Sequence, residues 1–211
     1  MKKHLLNISV ICLVIIIFAV FDGCGIVAIE GMPRNPNDKS FSVEKTEVLS
    51  ESPLRGKTIY WLGSSVTLGY ASKNESMADF IAKRNSCLSV KEAVSGTTLA
   101  DNSKNSYVQR LQNSTKFDKN ASIDLFICQL STNDVNKKNF TFVGSPSSES
   151  VKNIEEFDTK TTCGAIEYII AYVKKTWNCP TVFFTNPYYI NSNYETLVGH
   201  LNTIAQKWDT S

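Results

Sequence analysis

The feature that most restricts the fold of this chain is the run IDLFICQL at residues 123–130. Its apolar residues are successive rather than alternate. A strand built from it therefore shows apolar side chains on both faces, as a central strand of a covered parallel sheet does. Three similar short runs occur elsewhere: KTIYWLG at 57–63, LSVKEAV at 88–94 and TVFFT at 181–185. Each reads as a strand. Between and after them the apolar period lengthens to that of a helix. Met77, Phe80 and Ile81 form one stripe, and Tyr107, Val108 and Leu111 a second. Ile166, Ile169, Ile170, Val173 and Trp177 form a third, and Leu197, Leu201, Ile204 and Trp208 a fourth. The alternation predicts an α/β domain with a mostly parallel sheet covered on both faces, over residues 56–211. In such domains ligands meet the carboxyl ends of the strands.

The first part of the chain has a different character. Lys2 and Lys3 precede an apolar run from Leu5 to Phe21, LLNISVICLVIIIFAVF. At about 17 residues it is at the lower limit for crossing a bilayer. The order of charge and apolar run predicts a membrane anchor over residues 1–24, with the rest of the chain outside the cytoplasmic membrane as a single-pass protein. Cleavage of this segment, or lipid attachment at Cys24, are the alternatives. Residues 25–55, rich in Pro, Asn, Ser and charge, read as a linker. A net charge of +2 with scattered lysines argues against nucleic acid as the partner. The four cysteines beyond the anchor, Cys87, Cys128, Cys163 and Cys179, fit no zinc spacing. They read as free thiols in preference to disulfides, Cys128 facing the core. The long polar stretch between Val135 and Lys160 is expected to form a lid or rim.

Small or polar clusters follow three of the strands: Gly63-Ser64-Ser65, Ser95-Gly96, and Ser131-Thr132-Asn133-Asp134. Brought to one edge, they supply a hydroxyl, a glycine N–H open to a ligand, and a side-chain amide. Acyl transfer needs such a set, a nucleophile with donors aimed at a developing oxyanion. The plainer readings are a helix cap at Ser64 and Ser65, a turn glycine at Gly96, and a loop start at Asn133 and Asp134. The stretch from Gly63 to Gly69 has neither the Lys-Ser/Thr of a phosphate loop nor the G-x-G-x-x-G of a dinucleotide site.

Taken in order, the three clusters resemble the blocks of the SGNH/GDSL hydrolases, lipase/acylhydrolase-like esterases, over roughly Lys57 to the C-terminus. Ser64 stands where that family has Asp, and Ser131 where it has Gly. The resemblance implies a flavodoxin-like three-layer α/β/α sandwich and ester hydrolysis through a serine acyl-enzyme. It makes Ser65 the nucleophile. The Ser65 N–H, the Gly96 N–H and the Asn133 side chain become the oxyanion donors. No metal or organic cofactor is implied. The implied substrate is a small ester, an acylated lipid or an O-acetylated glycan.

The family takes its base from an Asp-x-x-His block after a fifth strand. This chain has two histidines, His4 in the anchor region and His200 on the last helix with Leu197 three residues before it. The expectation is that the base lies beyond Ser211, with the family's last strand and helix, and that the chain as given hydrolyses esters poorly. A non-catalytic surface binding protein on the same fold is the alternative, and a flavin or nucleotide binder is a third.

Overall fold

The computed structural model describes residues 39–136, 142–187 and 191–210. The predicted anchor, with His4, Cys12 and Cys24, lies outside them. Among the described residues no helix is long and apolar enough to cross a membrane. The unit from Phe41 onward is compact.

Four strands form, β1 (Thr58–Gly63), β2 (Leu88–Ala93), β3 (Leu125–Gln129) and β4 (Thr181–Phe184). They pair in the order β2-β1-β3-β4, all parallel. This is the strand order of the flavodoxin-like doubly wound sheet. The register sets Gly63 beside Ala93, and Leu62 beside Cys128. The ends of β1, β2 and β3 therefore share one edge.

The described residues also form five α-helices: α1 (Ser65–Leu68), α2 (Met77–Asn85), α3 (Tyr107–Asn113), α4 (Thr162–Thr176) and α5 (Ser192–Trp208). Their starts are written in the sequence. Ser76 and Asp79 form a reciprocal capping box on α2, and Ser106, Thr161 and Asn191 each accept an N–H of the first turn of α3, α4 and α5. The apolar stripes of α3, α4 and α5 pack on one sheet face, against Tyr60, Leu62, Phe126 and Cys128. Stacked and edge-on rings of Tyr60, Phe117, Phe126 and Trp177 fill the lower part of that layer.

The opposite face departs from the expected full cover. Ile59 and Trp61 are buried against Ala78 of α2. Leu125 and Ile127 on β3, and Val182 and Phe184 on β4, are only half-buried. Among the described helices, α2 is the one whose residues, Ala78 and Ile81, join the buried cluster on this face. Residues 43–55 run beside α2, where Val43 N–H donates to Glu75 and Leu49 N–H to the Arg84 carbonyl.

Cys87, Cys128, Cys163 and Cys179 are free thiols, Cys128 and Cys163 fully buried. Burial pushes Cys163 up to about 12 and Cys179 up to about 11. In the described part of the long polar stretch, 142–160, the backbone is fastened rather than loose. The Thr162 and Cys163 N–H groups donate to the Phe142 and Val143 carbonyls. Ser147 bonds through both its N–H and hydroxyl to Glu167, which forms a 2.5 Å ion pair with Lys207. Both charged side chains are 1% exposed.

Candidate active site

Ser65 is the first residue of α1, immediately after the β1 end. The turn that presents it is pinned from below. Gln129, buried at the end of β3, accepts through one oxygen from Ser64 N–H, Thr67 N–H and the Thr67 hydroxyl, at 3.1, 3.1 and 2.8 Å. Gly63 is required by this geometry, since a Cβ there would stand 1.8 Å from Thr67 Oγ1. The Ser65 side chain is half-buried and hydrogen-bonds to no described residue, and the Ser65 N–H likewise lacks an acceptor among them. Ser64, by contrast, is buried. It faces the wholly buried Tyr107 hydroxyl, whose pKa is raised chiefly by burial and lowered in part by the Ser64 side chain.

Gly96 lies in the loop after β2 with φ +78°, a conformation that favours glycine. Its surroundings are open: nothing lies within 4 Å of where a Cβ would be. The next residue joins this loop to the end of β3. The Thr97 carbonyl accepts from Asn133 Nδ2 at 2.8 Å and from Ser131 Oγ at 3.2 Å. One Asn133 amide proton is so engaged, and the other has no acceptor among the described residues. Asp134 is buried, and its carboxylate accepts from the Leu99 and Ala100 N–H groups at 2.9 and 3.0 Å and from the Thr162 hydroxyl at 3.3 Å. It ties the loop after β2 to the start of α4.

Beneath these loops lies Arg110, on the buried face of α3. Its guanidinium donates to the Gly63 carbonyl at 2.9 Å, to the Glu92 carbonyl at 3.0 Å and to Thr97 Oγ1 at 3.0 Å, and it pairs with the Glu92 carboxylate at 3.4 Å. Burial lowers its pKa, while Tyr107 and Glu92 act against that shift. One buried cation thus braces the ends of β1 and β2 and the Thr97 loop together.

The structure brings Ser65, Gly96 and Asn133 to the same sheet edge, through Gln129, Arg110 and the Thr97 carbonyl. Among the described residues it brings no histidine there. His200 is half-buried in the middle of α5, between Leu197 and Leu201. That is eight residues, about 12 Å, along a helix that begins near this edge. Sequence reasoning missed Gln129 and Arg110. Each carries a signal in retrospect, a polar residue closing an apolar strand and a charge at the i+3 position of a buried helical stripe.

Solved structures share this architecture. A crystal structure of a Lactobacillus plantarum protein superposes with a TM-score of 0.57 at 16% identity, over 74% of this chain and 75% of that one. One from Bacteroides ovatus, named as a GDSL-like lipase, gives 0.52 at 17%, over 76% and 84%. A family two carbohydrate esterase from Clostridium thermocellum, in complex with cellohexaose, gives 0.54 at 16%, over 76% of this chain and 52% of that one. No family model matches the sequence, and a search of curated proteins finds none similar. At these identities the likeness establishes the fold.

Proposed function

We propose that the protein is an ester hydrolase of the SGNH/GDSL type, acting on a small ester, an acylated lipid or an O-acetylated glycan. The observation that carries this reading is the Thr97 carbonyl clamp. It sets the Asn133 amide beside the Gly96 loop, next to a strand end whose serine hydroxyl bonds to no described residue. The likeness of fold to a GDSL-like lipase and a carbohydrate esterase supports it. In this reading Ser65 Oγ attacks the acyl carbon and its proton passes to a base. The oxyanion of the tetrahedral intermediate takes the Ser65 N–H, the Gly96 N–H and the second Asn133 amide proton. Collapse expels the alcohol and leaves acyl-Ser65, which water then hydrolyses.

Among the described residues no base contacts Ser65, and in this reading turnover by the chain is expected to be slow. Oxyanion donors alone retain part of the rate, while the base supplies several orders of magnitude. The test is p-nitrophenyl acetate turnover by the chain beside its Ser65→Ala variant. A slow rate abolished in the variant supports the assignment, and equal rates in the two refute it. The lack of a base at Ser65 among the described residues also favours a second reading, a non-catalytic binding protein using the same cleft. The apolar run after Lys2 and Lys3 supports a place on the outer side of the cell membrane, held by that segment. Recovery of the protein in the membrane fraction, accessible to protease added to intact cells, is the corresponding test.

A further inference from the structure

A groove of about 660 Å³ runs between α3 and α4. This is within the range of small-molecule sites, about 300–1,000 Å³. Its upper end is at Asp101, in the loop that carries Gly96. Its lower end is at Lys175, in the last turn of α4. One wall is a strip of aromatic surface. Tyr168 and Tyr172 are one helical turn apart, with ring centroids 6.0 Å apart and planes inclined by 30°. Each packs one edge on the core and remains half-exposed. The facing wall is polar: Gln112 donates to the Tyr168 hydroxyl at 2.6 Å, which leaves its amide oxygen unengaged. Glu155 and Lys175 also line the groove, and neither charged group has an ion-pair partner among the described residues.

This lining selects a ligand class. The charges on the walls balance in number, since Asp101 is paired with Lys160 and the remaining two lining charges, Glu155 and Lys175, are of opposite sign. Neither an anion nor a cation is favoured over a neutral molecule. Amide, carboxylate, ammonium and phenol groups at hand reward hydroxyls, and an alkyl chain would strand them without partners. The half-exposed Tyr168 ring offers a flat face to the apolar C–H face of a pyranose, while Lys119 Nζ stands 5.3 Å over the Tyr172 ring.

The upper end is also coupled to the candidate active site. Asp101 N–H donates to the Thr159 carbonyl at 2.7 Å, and Leu99 and Ala100, two and one residues earlier, are held by Asp134 next to Asn133. We propose that this groove binds a neutral carbohydrate chain, with Tyr168 stacking on one of its rings and Tyr172 lining the wall beside it, and leads its acyl ester toward Ser65. The role as substrate rests on the ester hydrolase reading, whereas the binding does not.

The test is calorimetric titration of the full chain carrying Ser65→Ala with the β-1,4-linked hexaoses of glucose, xylose and N-acetylglucosamine. Saturable binding of at least one is expected. Tyr168→Ala should weaken it about tenfold, and Gln112→Ala, at an exposed position that the fold does not need, several-fold. Absence of saturable binding of all three, or binding unchanged in both variants, overturns the proposal. Binding of a hexaose without Ser65-dependent turnover of p-nitrophenyl acetate by the parent chain would count against the ester hydrolase reading and for the groove.

Discussion

Replacing Gln129 with Met removes one acceptor oxygen on which three donors converge. The side chain is 1% exposed, so water does not reach the vacated position readily. The Thr67 hydroxyl can rotate to another acceptor, but the Ser64 and Thr67 N–H groups are fixed by the turn. Each buried N–H left without a partner costs about 1–3 kcal/mol, so the pair costs about 2–6 kcal/mol. Thr67→Val, which deletes only the hydroxyl donor, should cost about 1 kcal/mol. Urea unfolding followed by tryptophan fluorescence separates the two. With a slope of about 1–3 kcal/mol per molar, a loss of about 3 kcal/mol moves the midpoint by about 1–3 M. If Gln129→Met proves no more damaging than Thr67→Val, the Gln129 oxygen does not hold both N–H groups, and the pinned turn before Ser65 is a misreading.

Three further outcomes follow from particular contacts. Gly63→Ala drives a Cβ to 1.8 Å from Thr67 Oγ1 and should lower stability by about 1–3 kcal/mol, read by the same urea assay, with loss of any Ser65-dependent turnover. Lys207→Met leaves Glu167 charged, buried and unpaired, and should cost about 3–5 kcal/mol by urea unfolding. The double change with Glu167→Leu should cost less than the single one. The thiols set a pH dependence with a definite sign: because burial raises the folded pKa of Cys163 from 9.0 to about 12, its contribution is complete below pH 9 and is lost as pH rises toward 12. At pH 10 the loss from Cys163 is about 1.4 kcal/mol. Buried Cys128 acts in the same direction. Urea midpoints that do not fall between pH 8 and pH 10 would contradict this. Ready alkylation of native Cys163 by iodoacetamide at pH 8, seen by peptide mapping, would do so as well.

Much of the architecture can be read along the chain because it rests on short-range periods. The apolar runs at 57–63, 88–94, 123–130 and 181–185 contain the four strands, and the i, i+3, i+4 stripes contain α2 to α5. Caps such as Ser76 with Asp79 mark a helix start within one turn of sequence. The positions of Ser65, Gly96 and Asn133 at strand ends are legible for the same reason. What escapes such reading depends on partners far apart in the chain. Gln129 is opposite Ser64 only because β3 pairs with β1 in one register. Arg110 meets the Gly63 carbonyl across 47 residues, and Lys207 meets Glu167 across 40. On the sequence alone each is a polar residue out of place in an apolar pattern. The half-exposed Leu125, Ile127, Val182 and Phe184 escape it too, since a strand's own composition does not say what lies over it.

By itself the sequence determined the order of strands and helices, a parallel sheet and the edge where a site would form. Backbone periodicity and capping depend on neighbours a few residues away. Only the tertiary structure decided how that edge is built. It set Gln129 and Arg110 beneath the Ser65 turn, joined Asn133 to the Gly96 loop through one carbonyl, and kept His200 far down its helix. It also set Tyr168 and Tyr172 along a groove that begins beside that loop. These juxtapositions come from strand register and helix packing, in which side chains distant in sequence share one desolvated space, where buried polar groups left without partners are costly.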